Sequence, residues 1–180
     1  MRPQRIVVAL ASLATIVLSW GCQTKSADQQ GAPAATSAVA MNKAACQRFF
    51  DQALAAGDTA AVDTLVGPGL VEHQSPPPGY PSNPTAALKQ FIRDWHVAFP
   101  DMRVTIDRMV GEGDVVAIYS TMSGTNNGPF MGMKPTHKPM QVEGFDLVRF
   151  ENGKMAEHWG VLDMYGMMAQ LGVVKPPGAK

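Results

Sequence analysis

Cysteine is scarce in this chain: Cys22 and Cys46 are the only two among 180 residues, too few for a small scaffold stapled by disulfides. An excess of charge is missing as well. Fifteen Lys and Arg balance fifteen Asp and Glu, for a formal net charge of zero. With no basic cluster beyond the extreme N-terminus, nothing marks a surface for nucleic acid, and no such partner is expected. The apolar run from Ile6 to Leu18 is shorter than the roughly 20 residues of a membrane-spanning helix. His73, His137 and His158 lack the close His/Cys/carboxylate spacing of a zinc site, so neither a metal nor another cofactor is expected. What the chain does have is 46% hydrophobic and 17% charged residues, enough to bury one good core in a single domain.

The N-terminus reads as a targeting segment. Arg2 and Arg5 precede the Ile6–Leu18 run, which ends at Ser19-Trp20-Gly21-Cys22. A small residue before a cysteine at the end of such a run is similar to a bacterial lipoprotein signal, in which Cys22 would carry the lipid. Cleavage after Ala38-Val39-Ala40 is the competing reading. The expected organisation is a signal peptide over 1–22, a flexible tether over 23–40, a domain over 41–174 and a tail over 175–180. The location implied is outside the cytoplasm, on a membrane through the lipid alone. With Cys22 lipidated, Cys46 stands alone, and its spacing to Phe49, Phe50, Ala53 and Leu54 predicts burial on one helical face.

The domain reads as helices first and an antiparallel sheet afterwards, which is α+β. Helices are predicted from about Met41 to Ala56, from Asp58 to Val66, from Pro84 to Phe99, and after Asp163. Gly67-Pro68-Gly69 reads as a break, and Leu70 to His73 as a short extended piece. Strands are predicted over Met102–Val110, Asp114–Gly124, and on both sides of Asn152-Gly153.

The last pair of strands carries the chemistry. An Asn-Gly dipeptide between alternating runs is a strong hairpin signal, and here the arms hold Glu143, Asp146, Arg149, Glu157 and His158. A two-residue loop sets Asp146 opposite Trp159. A three-residue loop shifts the pairing by one and joins Asp146 to the face of His158, Gly160 and Leu162. The residues alone leave both registers open.

This order of elements, with GFDLVRFENGKMAEHW and the closing MMAQLG, resembles the nuclear-transport-factor-2-like (NTF2-like) superfamily. Within it, the chain looks like the SnoaL-like polyketide cyclase or ester cyclase branch. AAGDTAAVDTLV, AFPDMRV and the loop GPFMGMKPTHKPM extend the similarity over residues 43–172. The resemblance implies a curved sheet and helices closing a conical pocket, with a homodimer through the outer face of the sheet. It also implies that Asp146, His158, Gly160 and Leu162 face the pocket, which selects the second register. His73 matches the position of the general base in ketosteroid isomerases. Phe50 falls where those enzymes carry an oxyanion-binding tyrosine, and Gly160 where the cyclases carry an acid/base aspartate.

The expected site is therefore His73, Asp146 and His158 around one cavity. An imidazole with an ordinary pKa of about 6.5 can take a proton near neutrality. An inward carboxyl among apolar neighbours is desolvated and can donate to a developing oxyanion. The plain alternatives are a solvent-exposed His73, an Asp146 paired with Arg103 or Arg108, and a half-buried His158 held by the backbone. Met131, Met133, His137 and Met140 also suit copper(I), but read more simply as cavity filling. Two functions follow: a cofactor-independent cyclase or isomerase acting on a small apolar carbonyl compound, or a binding module of the same fold without chemistry.

Overall fold

Alanine decides where the first helix begins. In the computed structural model, which describes residues 32–175 and residue 178, α1 spans Ala32–Arg48. It thus starts well before Met41, inside the stretch expected to be a tether. Ala-rich sequence carries the highest helix propensity as well as low complexity, and Pro33 falls in the first turn, where its missing N–H is tolerated. The expected signal peptide, with Cys22, lies outside the described residues, as does most of the expected tail.

From α1 the chain continues as a π-helical segment, Phe49–Ala55, in which Phe49, Phe50 and Ala53 are buried. Gly57, at φ +74°, ends it. Helix α2, Thr59–Leu65, is capped by Asp58, whose side chain accepts from the Ala60 N–H at 2.8 Å. Strand β1, Val66–Glu72, follows at once. The Gly-Pro-Gly that reads as a break is carried inside this strand as an irregularity, where pairing passes from Val66 with Met155 to Val71 with Glu157. Proline and glycine are tolerated there because β1 is an edge strand.

Helix α3, Pro84–Ala98, has Asn83 as its cap and Pro84 in its first turn. Strands β2 (Arg103–Glu112), β3 (Val115–Thr125), β4 (Pro139–Glu151) and β5 (Lys154–Leu162) precede α4, Met164–Leu171. Asp163 caps α4, and Gly172, left-handed at φ 78°, ends it. The five strands form one sheet in the order β1-β5-β4-β3-β2. Only β1 with β5 is parallel.

Alternation along the strands sets the core. Val116, Ile118, Ser120 and Met122 of β3 are buried, as are Met140, Val142, Val148 and Phe150 of β4. One apolar cluster gathers Cys46, Phe49, Phe50, Ile92, Ile118 and Val148. A second gathers Trp95, Phe99, Met122, Phe130, Met140 and Met167. Cys46 is buried on its helix as the spacing predicts, and burial, with the nearby Asp146 charge, pushes its thiol up to about 12. It is an inert core residue. Beside the second cluster, fully buried Asn126 ties the 126–138 loop down, its side chain donating to the Gly128 carbonyl at 2.9 Å and accepting from the Thr136 N–H at 2.8 Å. A Cβ at Gly128 would lie 2.0 Å from the Val97 carbonyl oxygen, so only glycine lets the loop pass α3.

Candidate active site

The hairpin register is the origin of the site, and its cause differs from the expected one. The turn is of the two-residue kind: Glu151 pairs with Lys154, and Asn152 and Gly153 are both left-handed, at φ 51° and 75°. Alone, that turn would set Asp146 against Trp159. Strand β5 then inserts one extra residue. Pairing passes from Phe150 with Met155 to Arg149 with Glu157, leaving Ala156 in a bulge, and Asp146 comes opposite Gly160. The register implied by the resemblance is present, produced by a bulge rather than by a longer loop.

With this register Asp146 and His158 meet on the inner face. His158 Nε2 lies 2.9 Å from Asp146 Oδ1. Its Nδ1 lies 2.7 Å from Glu72 Oε2. Glu72 is the last residue of β1 and pairs with His158 in the parallel register. Its other oxygen, Oε1, accepts from the Gln74 N–H at 3.0 Å. Both imidazole nitrogens are thus held by carboxylates, so both donate and the ring carries charge. Burial works against that charge, but the hydrogen bonds to Asp146 and Glu72 outweigh it and raise the His158 pKa to about 9. Burial likewise pushes Glu72 up, yet its bond to His158 holds its carboxyl below the usual range. Asp146 pairs with His158 rather than with Arg103 or Arg108.

His73 does not join them. Side chains alternate along β1, so Glu72 turns inward and His73 outward. There its ring stacks on Trp159, with centroids 4.2 Å apart, and its Nε2 lies 3.0 Å from Glu157 Oε2. Glu157 also accepts from Arg149 Nε at 2.7 Å. These residues form a separate network on the outer face, and the expected convergence of three groups is corrected to Glu72, His158 and Asp146. A signal for Glu72 was present: it stands two residues from Leu70, which with Val66 is buried on the same strand.

The three groups line a cavity of about 740 Å³. Phe49, Phe50, Leu88, Phe91 and Trp95 form much of its wall, and the loop after β1, with Pro76 to Pro78 and Tyr80, borders it. Tyr80 donates to Asp94 of α3 at 2.7 Å, fastening that loop to the helix. Phe50 lines the cavity without the hydroxyl that an oxyanion-binding tyrosine would bring. Gly160 lines it too. A Cβ there would fall 2.9 Å from His158 Cε1 and 3.0 Å from Asp146 Oδ1. The carboxylate of Asp146, reaching across from the facing strand, occupies the space that a side chain at 160 would need.

Helices closing a sheet over an apolar cavity, with its ionisable groups gathered on one wall, define a conical pocket protein of the NTF2-like class. The chain belongs to the SnoaL-like polyketide cyclase family, whose profile matches residues 44–171. Among solved structures, TsrD from Streptomyces laurentii is similar at 27% identity and TM-score 0.67, over 75% of this chain and 97% of that one. Wild-type IdmH from Streptomyces antibioticus is similar at 28% identity and TM-score 0.64, over 73% and 99%. A SnoaL-like polyketide cyclase from Agrobacterium tumefaciens, 18% identical with TM-score 0.59 over 73% and 98%, shares the fold. No match was found among curated proteins.

Proposed function

We propose that the protein is a cofactor-independent cyclase or isomerase that moves a proton on a small, largely apolar carbonyl compound. The observation that carries this reading is the Glu72–His158–Asp146 chain opening onto an apolar cavity of about 740 Å³. Among the described residues Asp146 bonds His158 through Oδ1 alone; its Oδ2 is the atom to take a proton from carbon next to the carbonyl. The same oxygen returns the proton to the substrate, and the positive charge of His158, anchored by Glu72, offsets the negative charge that develops without a hydrogen bond of its own to the substrate. His73, outside the cavity, has no part in these steps. The test is Asp146→Asn, which keeps shape but cannot exchange a proton. Turnover should be abolished in a variant that keeps its fold by circular dichroism. Retained turnover would overturn the reading.

The second reading, a binding module of the same fold, is favoured by the absence of a hydroxyl at Phe50 and of a carboxylate at Gly160. It predicts binding without turnover in the unaltered protein. We also place the protein outside the cytoplasm, anchored by lipid at Cys22, on the pattern of Arg2, Arg5, Ile6–Leu18 and Gly21-Cys22. A homodimer through the outer sheet face is supported by the exposure there of Val71, Phe145 and Val161. A monomer by sedimentation at micromolar concentration would exclude it.

A further inference from the structure

We propose that the cavity selects its ligand by charge, taking an apolar compound whose polar end is a protonated amine and rejecting the matching carboxylate. This rests on the reading of the cavity as the ligand site, and not on whether chemistry follows there.

Among the described residues, Glu72, Asp146 and His158 are the only lining groups that carry charge near neutral pH, and no Lys or Arg lines the cavity. Tyr80 also lines it, but its hydroxyl donates to Asp94 and stays neutral. Two carboxylates therefore face one imidazolium. The cavity holds a net single negative charge while His158 is protonated, inside a wall of aromatic and aliphatic side chains that screens poorly.

The sole cation offers nothing to an anionic ligand. His158 gives Nδ1 to Glu72 and Nε2 to Asp146, so a ligand carboxylate would be buried beside two others with no free donor to receive it. A cation meets the opposite situation. Asp146 lines the cavity, and its Oδ2 carries none of the hydrogen bonds among the described residues. Phe49, Phe50, Phe91 and Trp95 on the wall offer ring faces to an ammonium and apolar area to the body that bears it.

Three probes of one shape separate the cases: 1-naphthylmethylamine, 1-naphthalenemethanol and 1-naphthoate, titrated calorimetrically at neutral pH against the full domain. The amine should bind tighter than the alcohol by about tenfold or more, and the alcohol tighter than the carboxylate. In Asp146→Asn and in Glu72→Gln, each checked for its fold by circular dichroism, the preference for amine over alcohol should shrink. An amine that binds no tighter than the alcohol, or not at all, overturns the inference. So does a carboxylate that matches the alcohol. These outcomes on the unaltered protein decide the matter even where a variant fails to fold. Because turnover is not measured, absence of catalysis would sink the proton-transfer reading and leave this one standing.

Discussion

Gly160 shows how one missing side chain determines what a neighbouring pair can do. Its Cα faces the His158–Asp146 bond so closely that even a methyl group would fall about 3 Å from both partners. Gly160→Ala should push the imidazole off Asp146 and cost about 1–3 kcal/mol by overpacking. NMR titration of His158 should then show its pKa falling from about 9 toward the ordinary 6.5; an unchanged value would contradict this geometry. The same raised pKa sets a pH dependence of stability. A group raised on folding stabilises fully below its unfolded pKa and loses that contribution as pH climbs through the folded one. For His158 the loss runs from about 6.5 to about 9, and the full shift is on the order of 3 kcal/mol. Glu72, lowered on folding, contributes above its unfolded value of 4.5 and loses this as pH falls through the folded one. Stability should therefore peak between these limits and decline on the alkaline side in chemical denaturation series. His158→Gln should be less stable near pH 6 and should flatten the alkaline decline.

At the scale of the elements, the alkaline and acidic groups meet because the bulge in β5 absorbs the one residue more than its turn demands. Deleting Ala156 should remove the bulge and leave Asp146 opposite Gly160, because Arg149 then pairs with Glu157 directly after Phe150 with Met155 and His158 stays on the inner face. The deletion should keep the raised His158 titration, and a variant that loses it would refute the pairing described for this hairpin. This is also where the limits of the sequence are clearest. Cap and stop residues such as Asp58, Asn83, Asp163 and Gly172 act locally, so the helix boundaries they mark were legible from the chain, as was the Asn152-Gly153 turn. The position of a bulge depends on how a strand meets its partner and on what lies beneath it, and no residue at 155–157 announces it. Likewise the α-helix through Ala32–Ala40 was hidden because the same alanines suit a tether and a helix. The inward face of β1 was legible in principle from Leu70. His73 is the neighbour of that inward residue, and alternation puts a single step along the strand on the opposite face of the sheet.

The whole molecule is organised about two faces of one sheet: an inner face closed by helices, holding the charged chain and its cavity, and an outer face carrying His73, Trp159, Glu157 and Arg149. Among the described residues no helix is long and apolar enough to cross a membrane, and the attachment proposed above lies in the segment ahead of α1. That segment is shorter than composition suggests. With α1 starting at Ala32, only residues 23–31 separate it from Cys22, and nine residues reach at most about 30 Å when fully extended. A lipid on Cys22 would hold the domain close to the bilayer surface rather than on a long leash. One acyl chain gives marginal anchoring, whereas the diacyl-type anchor of a lipoprotein gives stable attachment. Cys22→Ser should therefore move the protein from the membrane fraction to the soluble fraction without altering the melting temperature of the domain, since Cys22 lies ahead of every described element. Unchanged fractionation of that variant would show that the N-terminus works some other way. Lengthening the 23–31 segment with a Gly/Ser insert should leave fractionation as it is while making the domain easier to release by protease, because a lipid on Cys22 would supply the attachment and the segment only the reach.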